Sequence, residues 1–257
     1  STLMFVAMLG IVLFSKSYKK NKLFSRFDGP SLNTSMEVFK LGTPIGFGIF
    51  VELSMYSGAA IILAPLGENV VSGHAVALNI ASIVFMLPLA IGLAASTRVG
   101  NLLGEKRYID ARYSSKVSVY LCLIGALFNM TLLVTLGDKL ISLYTTDLLV
   151  FSVASHLIVF AAIFQIPDGI GMGSLGALRG YKDTFMTMVF IIIAYWVFAI
   201  PFGYYLTYYG INQPMGESGM WISMIVGLTI FATLISRRLN KISEIHAMIR
   251  KEKVPQF

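Results

Sequence analysis

Six long runs of apolar residues decide what this chain can fold into. They cover about residues 41–66, 70–97, 115–137, 148–178, 184–209 and 218–236, and each provides close to or more than the roughly 20 residues a helix needs to cross a bilayer. Lipid offers no water to backbone N–H and C=O groups, so runs of this length satisfy their own hydrogen bonds as helices. Composition agrees. With 56% hydrophobic and only 13% charged residues and a mean hydropathy of +0.75, the chain has too little polar surface for a soluble globule of this size. The expected fold class is an all-α membrane protein, a six-helix transmembrane bundle.

A further apolar run, Leu3 to Phe14, is too short for a full crossing, and its positive charges (Lys16, Lys19, Lys20) follow the oily stretch. A secretory signal carries its charge before the apolar core, so that reading is rejected. The chain is therefore read as 1–15, the end of a truncated transmembrane helix; 16–40, a cytoplasmic linker; 41–236, a six-helix lobe; and 237–257, a cytoplasmic basic tail. The linker is expected to end in a short interfacial helix capped by Ser31 or Ser35. In the tail, Leu239, Ile242, Ile245 and Ile249 recur at near-helical spacing, which suits a helix lying on the inner membrane surface; a plain solvated tail is an equal alternative.

Cationic residues retained on the cytoplasmic side orient membrane proteins. Of the 20 Lys and Arg residues, all but Lys139 fall in alternate connections or in the two ends of the chain. That pattern places the leading basic stretch and the C-terminus in the cytoplasm. It also accounts for the net charge of +7 without a nucleic-acid partner. Arg98, Arg179, Lys182 and Asp183 sit at cytoplasmic helix ends, where anchoring and capping explain them. The single Cys122 can form no internal disulfide. No cluster of His and Cys has metal-ligand spacing, and neither a GxxxxGK[ST] loop nor an HExxH helix occurs, which excludes an ATP motor and a zincin site within this chain.

Against this background two acids stand out, Glu52 and Asp168, each inside an apolar run. An ionisable group at membrane depth is costly and marks an ion or substrate path more often than packing. Glu52 lies twelve residues beyond Lys40 and Asp168 eleven before Arg179. At about 1.5 Å per helical residue both come to roughly 16–18 Å, about the middle of the hydrocarbon core. Pro167, Gly169, Gly171 and Gly173 surround Asp168, and Gly42, Pro44, Gly46 and Gly48 precede Glu52. Next to an acid, such residues are expected to loosen the helix and turn carbonyls toward a cavity; close helix packing is the alternative. A proton, Na⁺ and an organic cation are interchangeable ways to neutralise a buried carboxylate, and competition among them is the core of antiport. Tyr56 and Met172, one turn from the acids, and Phe164, one turn before Asp168, are candidate cavity-lining residues. Packing is the alternative for Tyr56 and Met172. His74 and His156, toward the outer ends, are expected to make satisfied polar contacts.

The segments LGTPIGFGIFVELSMYS, APLGENVVSGHAVALNIASIVFMLPLAIGLAASTRVGNLLGE, SLGALRGYKD and GMWISMIVGLT resemble the carboxy-terminal half of a multidrug and toxic compound extrusion (MATE) transporter of the bacterial NorM type. The resemblance runs from about Leu41 to Leu239. It implies one six-helix lobe of a twelve-helix transporter, partnered by an amino-terminal lobe and the lipid bilayer. It further implies export of organic cations in exchange for Na⁺ or H⁺ across the bacterial inner membrane, without an enzymatic cofactor. It puts Glu52 and Asp168 at the family's membrane-embedded acids, as ligands of Na⁺ if coupling is to sodium. Close relatives carry His-Gln where His74-Ala75 stands, and some sodium-coupled ones carry Tyr at Phe164. Two alternatives are a flippase for lipid-linked precursors, expected to line its cavity with cations that are missing mid-span here, and a non-transporting scaffold, in which both acids would be dispensable.

Overall fold

The computed structural model describes residues 5, 6, 9, 10 and 31–253, with residues 249–253 described by backbone alone. The chain divides into two compact units, Ser1–Lys40 and Leu41–Phe257. Most of the expected truncated helix at 1–15, the first half of the linker and the last residues of the tail lie outside the described residues. So does the side chain of Ile249.

Six helices long and apolar enough to span a membrane are present among the described residues. They are α1 (Leu32–Leu63), α2 (Glu68–Gly104), α3 (Tyr108–Ile141), α4 (Leu148–Gly180), α5 (Thr184–Tyr208) and α6 (Glu217–Lys253). A 3₁₀ turn, Ala64–Leu66, joins α1 to α2. Large apolar side chains such as Phe50, Leu53, Ile83, Ile124, Phe128 and Val134 are exposed, a surface suited to acyl chains and not to water.

Two helices run further than the hydropathy suggested. Ser31 Oγ accepts the Thr34 amide at 3.2 Å and caps α1, so residues assigned to the linker's interfacial helix belong to one continuous helix with the first span. Helix α6 likewise continues through the basic tail to Lys253. Leu239 is buried in the core cluster and Ile242 packs against it, so the first turn of this stretch extends the bundle, while Ile245 and Met248 are exposed. Hydropathy falls where charged residues begin, but helical hydrogen bonding does not.

Helix α4 is the centre of the lobe and packs against α2, α3 and α6. Its glycines make this possible. A Cβ on Gly176 would meet the Gly92 Cα of α2 at 2.7 Å, and one on Gly173 would meet the Val119 Cα of α3 at 2.8 Å. Helix α4 is unbroken from Leu148 to Gly180 despite Pro167. Here the glycines serve backbone-to-backbone packing, the usual basis of helix association in lipid, and not the loosening expected from their neighbour Asp168. Buried polar bridges add to the contact: Asn129 Nδ2 of α3 donates to Val84 O of α2 at 2.7 Å and to Gln165 Oε1 of α4 at 3.3 Å.

Helix α1 meets α5 through side chains. Trp196 Nε1 donates to Ser54 Oγ at 2.8 Å and Tyr208 Oη to Ile62 O at 2.7 Å. Helix α5 is itself irregular, with a π-helical segment at Ile192–Ala199. Ser223 Oγ of α6 donates to Ala199 O at 2.5 Å, and Gly227 of α6 leaves room for the Ala194 carbonyl. Such widened turns are rare and often accompany functional sites.

Candidate functional site

A ring contact between the antiparallel helices α1 and α4 places the two sequence-chosen acids within electrostatic range of each other. One turn beyond Glu52 is Tyr56, and one turn before Asp168 is Phe164; their ring centroids are 6.4 Å apart. This register sets position 52 opposite position 168, and the two carboxyls interact electrostatically. Glu52 is half-buried and Asp168 is 9% exposed. Among the described residues neither carboxyl makes a hydrogen bond or an ion pair to a protein group. A carboxyl held only for structure would have such a partner.

Phe164 is buried, the second ring of an aromatic row that leads from Tyr56 to α2. Its centroid is 6.3 Å from that of Trp221, which is in turn 5.6 Å from that of His74. Trp221 Nε1 donates to His74 Nδ1 at 3.1 Å, which puts the ring proton of a neutral His74 on Nε2. That nitrogen is buried without a partner, so the expected satisfied contact is only half made. His156 Nε2, by contrast, is 2.8 Å from Ser218 Oγ. Met172, one turn past Asp168, packs α4 on α2: its Cγ would lie 3.2 Å from a Cβ on Gly92.

Three residues near the acids were not picked out as site candidates from the sequence. Tyr195, on the π segment of α5, is buried and lies within electrostatic range of Glu52, Tyr56 and Asp168. Gln165 is buried one turn from Asp168 and keeps Nε2 unpartnered. Arg179 interacts electrostatically with Glu52. Tyr195 and Arg179 are at ordinary positions in the sequence, and only tertiary packing brings them here; the irregular turn that carries Tyr195 contains no Pro or Gly, and its one sequence mark is Pro201, just beyond its end.

The assembled groups are two carboxyls without protein partners, flanked by the tyrosines 56 and 195 and the ring of Phe164. Among the described residues no group of three or more His, Cys, Asp or Glu could hold a metal ion. A dedicated site for a divalent transition metal would call for more ligands than this pair supplies. The arrangement can accept a proton or a small monovalent ion on oxygen, or an organic cation between carboxylate and ring faces.

Six helices long and apolar enough to cross a bilayer, with two acids inside their apolar runs, define a polytopic membrane protein. The sequence model of the MatE family matches residues 44–205, and the chain belongs to this family. It is 41% identical over 239 residues to the multidrug resistance protein NorM of Vibrio vulnificus (strain YJ016), covering 93% of this chain and 52% of that protein. It is 38% identical over 239 residues to the multidrug resistance protein PmpM of Pseudomonas aeruginosa, covering 93% and 50%. Solved structures agree in fold: the eukaryotic MATE transporter AtDTX14 superimposes with a TM-score of 0.80 at 23% identity, over 94% of this chain and 55% of that one. The bent form of the Vibrio cholerae MATE transporter VcmN gives 0.80 at 15% identity, over 93% and 54%. The chain thus spans about half the length of the relatives it matches.

Proposed function

We propose that this chain is the carboxy-terminal lobe of a secondary active antiporter in the bacterial inner membrane, with its C-terminus in the cytoplasm. The complete protein exports hydrophobic organic cations, drugs and dyes among them, in exchange for Na⁺ or H⁺. Glu52 and Asp168 form the exchange site. Tyr56, Phe164 and Met172, each one turn from an acid, are assigned as its neighbours on the path of the cation.

The observation that carries this reading is the absence of any hydrogen bond or ion pair from either carboxyl to a protein group among the described residues. Two acids within electrostatic range of each other in a low-dielectric setting repel each other and lose hydration. A cation from outside the protein removes both costs, and a different cation can replace it. Export then requires that the two loaded states favour opposite openings between this lobe and its amino-terminal partner.

The test uses the full-length protein in proteoliposomes loaded with ethidium, under an imposed Na⁺ gradient and separately under a pH gradient. One gradient is expected to accelerate efflux in the wild type and to fail in Glu52→Gln and Asp168→Asn. Gradient-driven efflux that survives in both variants would leave the acids dispensable and favour a scaffold role.

A further inference from the structure

Arg179 belongs to the last turn of α4, where membrane-surface anchoring would send its charge into water. Here the side chain is only partly exposed. Its Nε is sealed from solvent and has no hydrogen-bond partner among the described residues. The side chain lines a hollow of about 10 Å³ together with Pro44, Ile45 and Gly48 of α1 and Thr187 of α5. Gly48 is one helical turn before Glu52. Helix geometry explains the inward course, because each Cα–Cβ bond tilts toward the N-terminus of its own helix. In the antiparallel pair α1 and α4, Glu52 and Arg179 therefore lean toward each other. They interact electrostatically but form no ion pair.

We propose that Arg179 is a tethered competitor for the cation site, a fixed positive charge on the cytoplasmic approach to Glu52 that weakens cation binding there and promotes release. The inference rests on Glu52 being part of the exchange site. In a medium of low dielectric a neighbouring like charge penalises a bound cation much more than it would in water. Arg179 keeps its charge at any physiological pH, so the penalty is constant, and the bound cation is held loosely enough to leave.

The experiment measures the Kd of tetraphenylphosphonium, a permanent cation, for the purified full-length protein by calorimetry, alongside KM and kcat for its efflux from proteoliposomes. In Arg179→Gln the Kd is expected to tighten by roughly 3- to 30-fold, the range for removal of one like charge at protein-like dielectric. KM and kcat fall together as release slows. Arg179→Lys keeps the charge and is expected to retain the wild-type Kd. If the Gln variant does not fold, Arg179→Met preserves the long apolar stem and reads the same quantity. An unchanged or weaker Kd in the uncharged variant, or a Lys variant that binds as tightly as the Gln variant, overturns the proposal. Glu52→Gln separates the two claims. Loss of binding there with no effect at Arg179 defeats only the competitor role, whereas intact binding in Glu52→Gln defeats the exchange site itself.

Discussion

At the residue scale the acid pair is the centre of the account. If the proposed exchange site is right, neutralising either carboxyl removes a charge-assisted contact to the organic cation, so Glu52→Gln and Asp168→Asn should each lower its affinity by about 10- to 100-fold. On the proposal that both groups serve one bound cation, the double variant should be little worse than the more damaging single one, a non-additivity that a double-mutant cycle of Kd values measures. The packing glycines make a separate prediction. Gly176→Ala drives a methyl into the backbone of Gly92 and should lower the melting temperature of the detergent-purified protein. Gly46→Ala has nothing within 4 Å and should leave it unchanged or raise it, since alanine is favoured over glycine inside a helix by about 1 kcal/mol. The acids were legible in the sequence because charge inside an apolar run is conspicuous. Tyr195 and Arg179 were not, because aromatic residues and a cation at a helix end are unremarkable until packing turns them toward Glu52.

At the scale of elements, helices α2 and α4 end in the same way. Lys106 and Lys182 adopt left-handed backbone conformations, with φ of 60° and 61°. Arg107 N then bonds back to Leu102 O at 2.9 Å, and Asp183 N to Leu178 O at 3.1 Å, closing the last carbonyls of each helix. A lysine there carries strain that glycine would not. Lys106→Gly should therefore stabilise the protein by up to about 1 kcal/mol, read as a higher denaturation midpoint, and a fall would contradict the strain argument. The second turn is also tied down from α6: Arg238 Nε and Nη2 donate to the two Asp183 oxygens at 2.6 and 3.3 Å. Asp183→Asn, which keeps the shape but weakens this partly buried pair, should cost about 1–2 kcal/mol in the same denaturation measurement. Six spans were legible from apolar run length alone. Their ends were not: the linker end and the basic tail continue as helix because capping by Ser31 and packing of Leu239 and Ile242 outweigh the loss of hydropathy at 31–40 and beyond 236.

At the scale of the whole molecule, the lobe has a firm core around α4 and an acid pair between α1 and α4, with α5 carrying the irregular turn beside them. The chain spans about half of its relatives, and in the proposed function alternating access is movement against a second lobe. The fold class and the family likeness were readable because membrane-depth constraints leave strong marks on sequence. The driving ion was not, since a carboxyl pair accepts Na⁺ and H⁺ by the same chemistry and only solvation and geometry of the full cavity choose between them. The most direct measurement is tetraphenylphosphonium binding to the purified full-length protein, titrated with Na⁺ at fixed pH and with acid at fixed salt, in the wild type and in the Glu52→Gln/Asp168→Asn double variant. The account predicts that one of the two ions displaces the organic cation competitively from the wild type, and that residual binding to the double variant no longer responds to it. Displacement by the same ion at unchanged concentrations in the double variant would contradict the assignment of these carboxyls as the place where the two cations exchange.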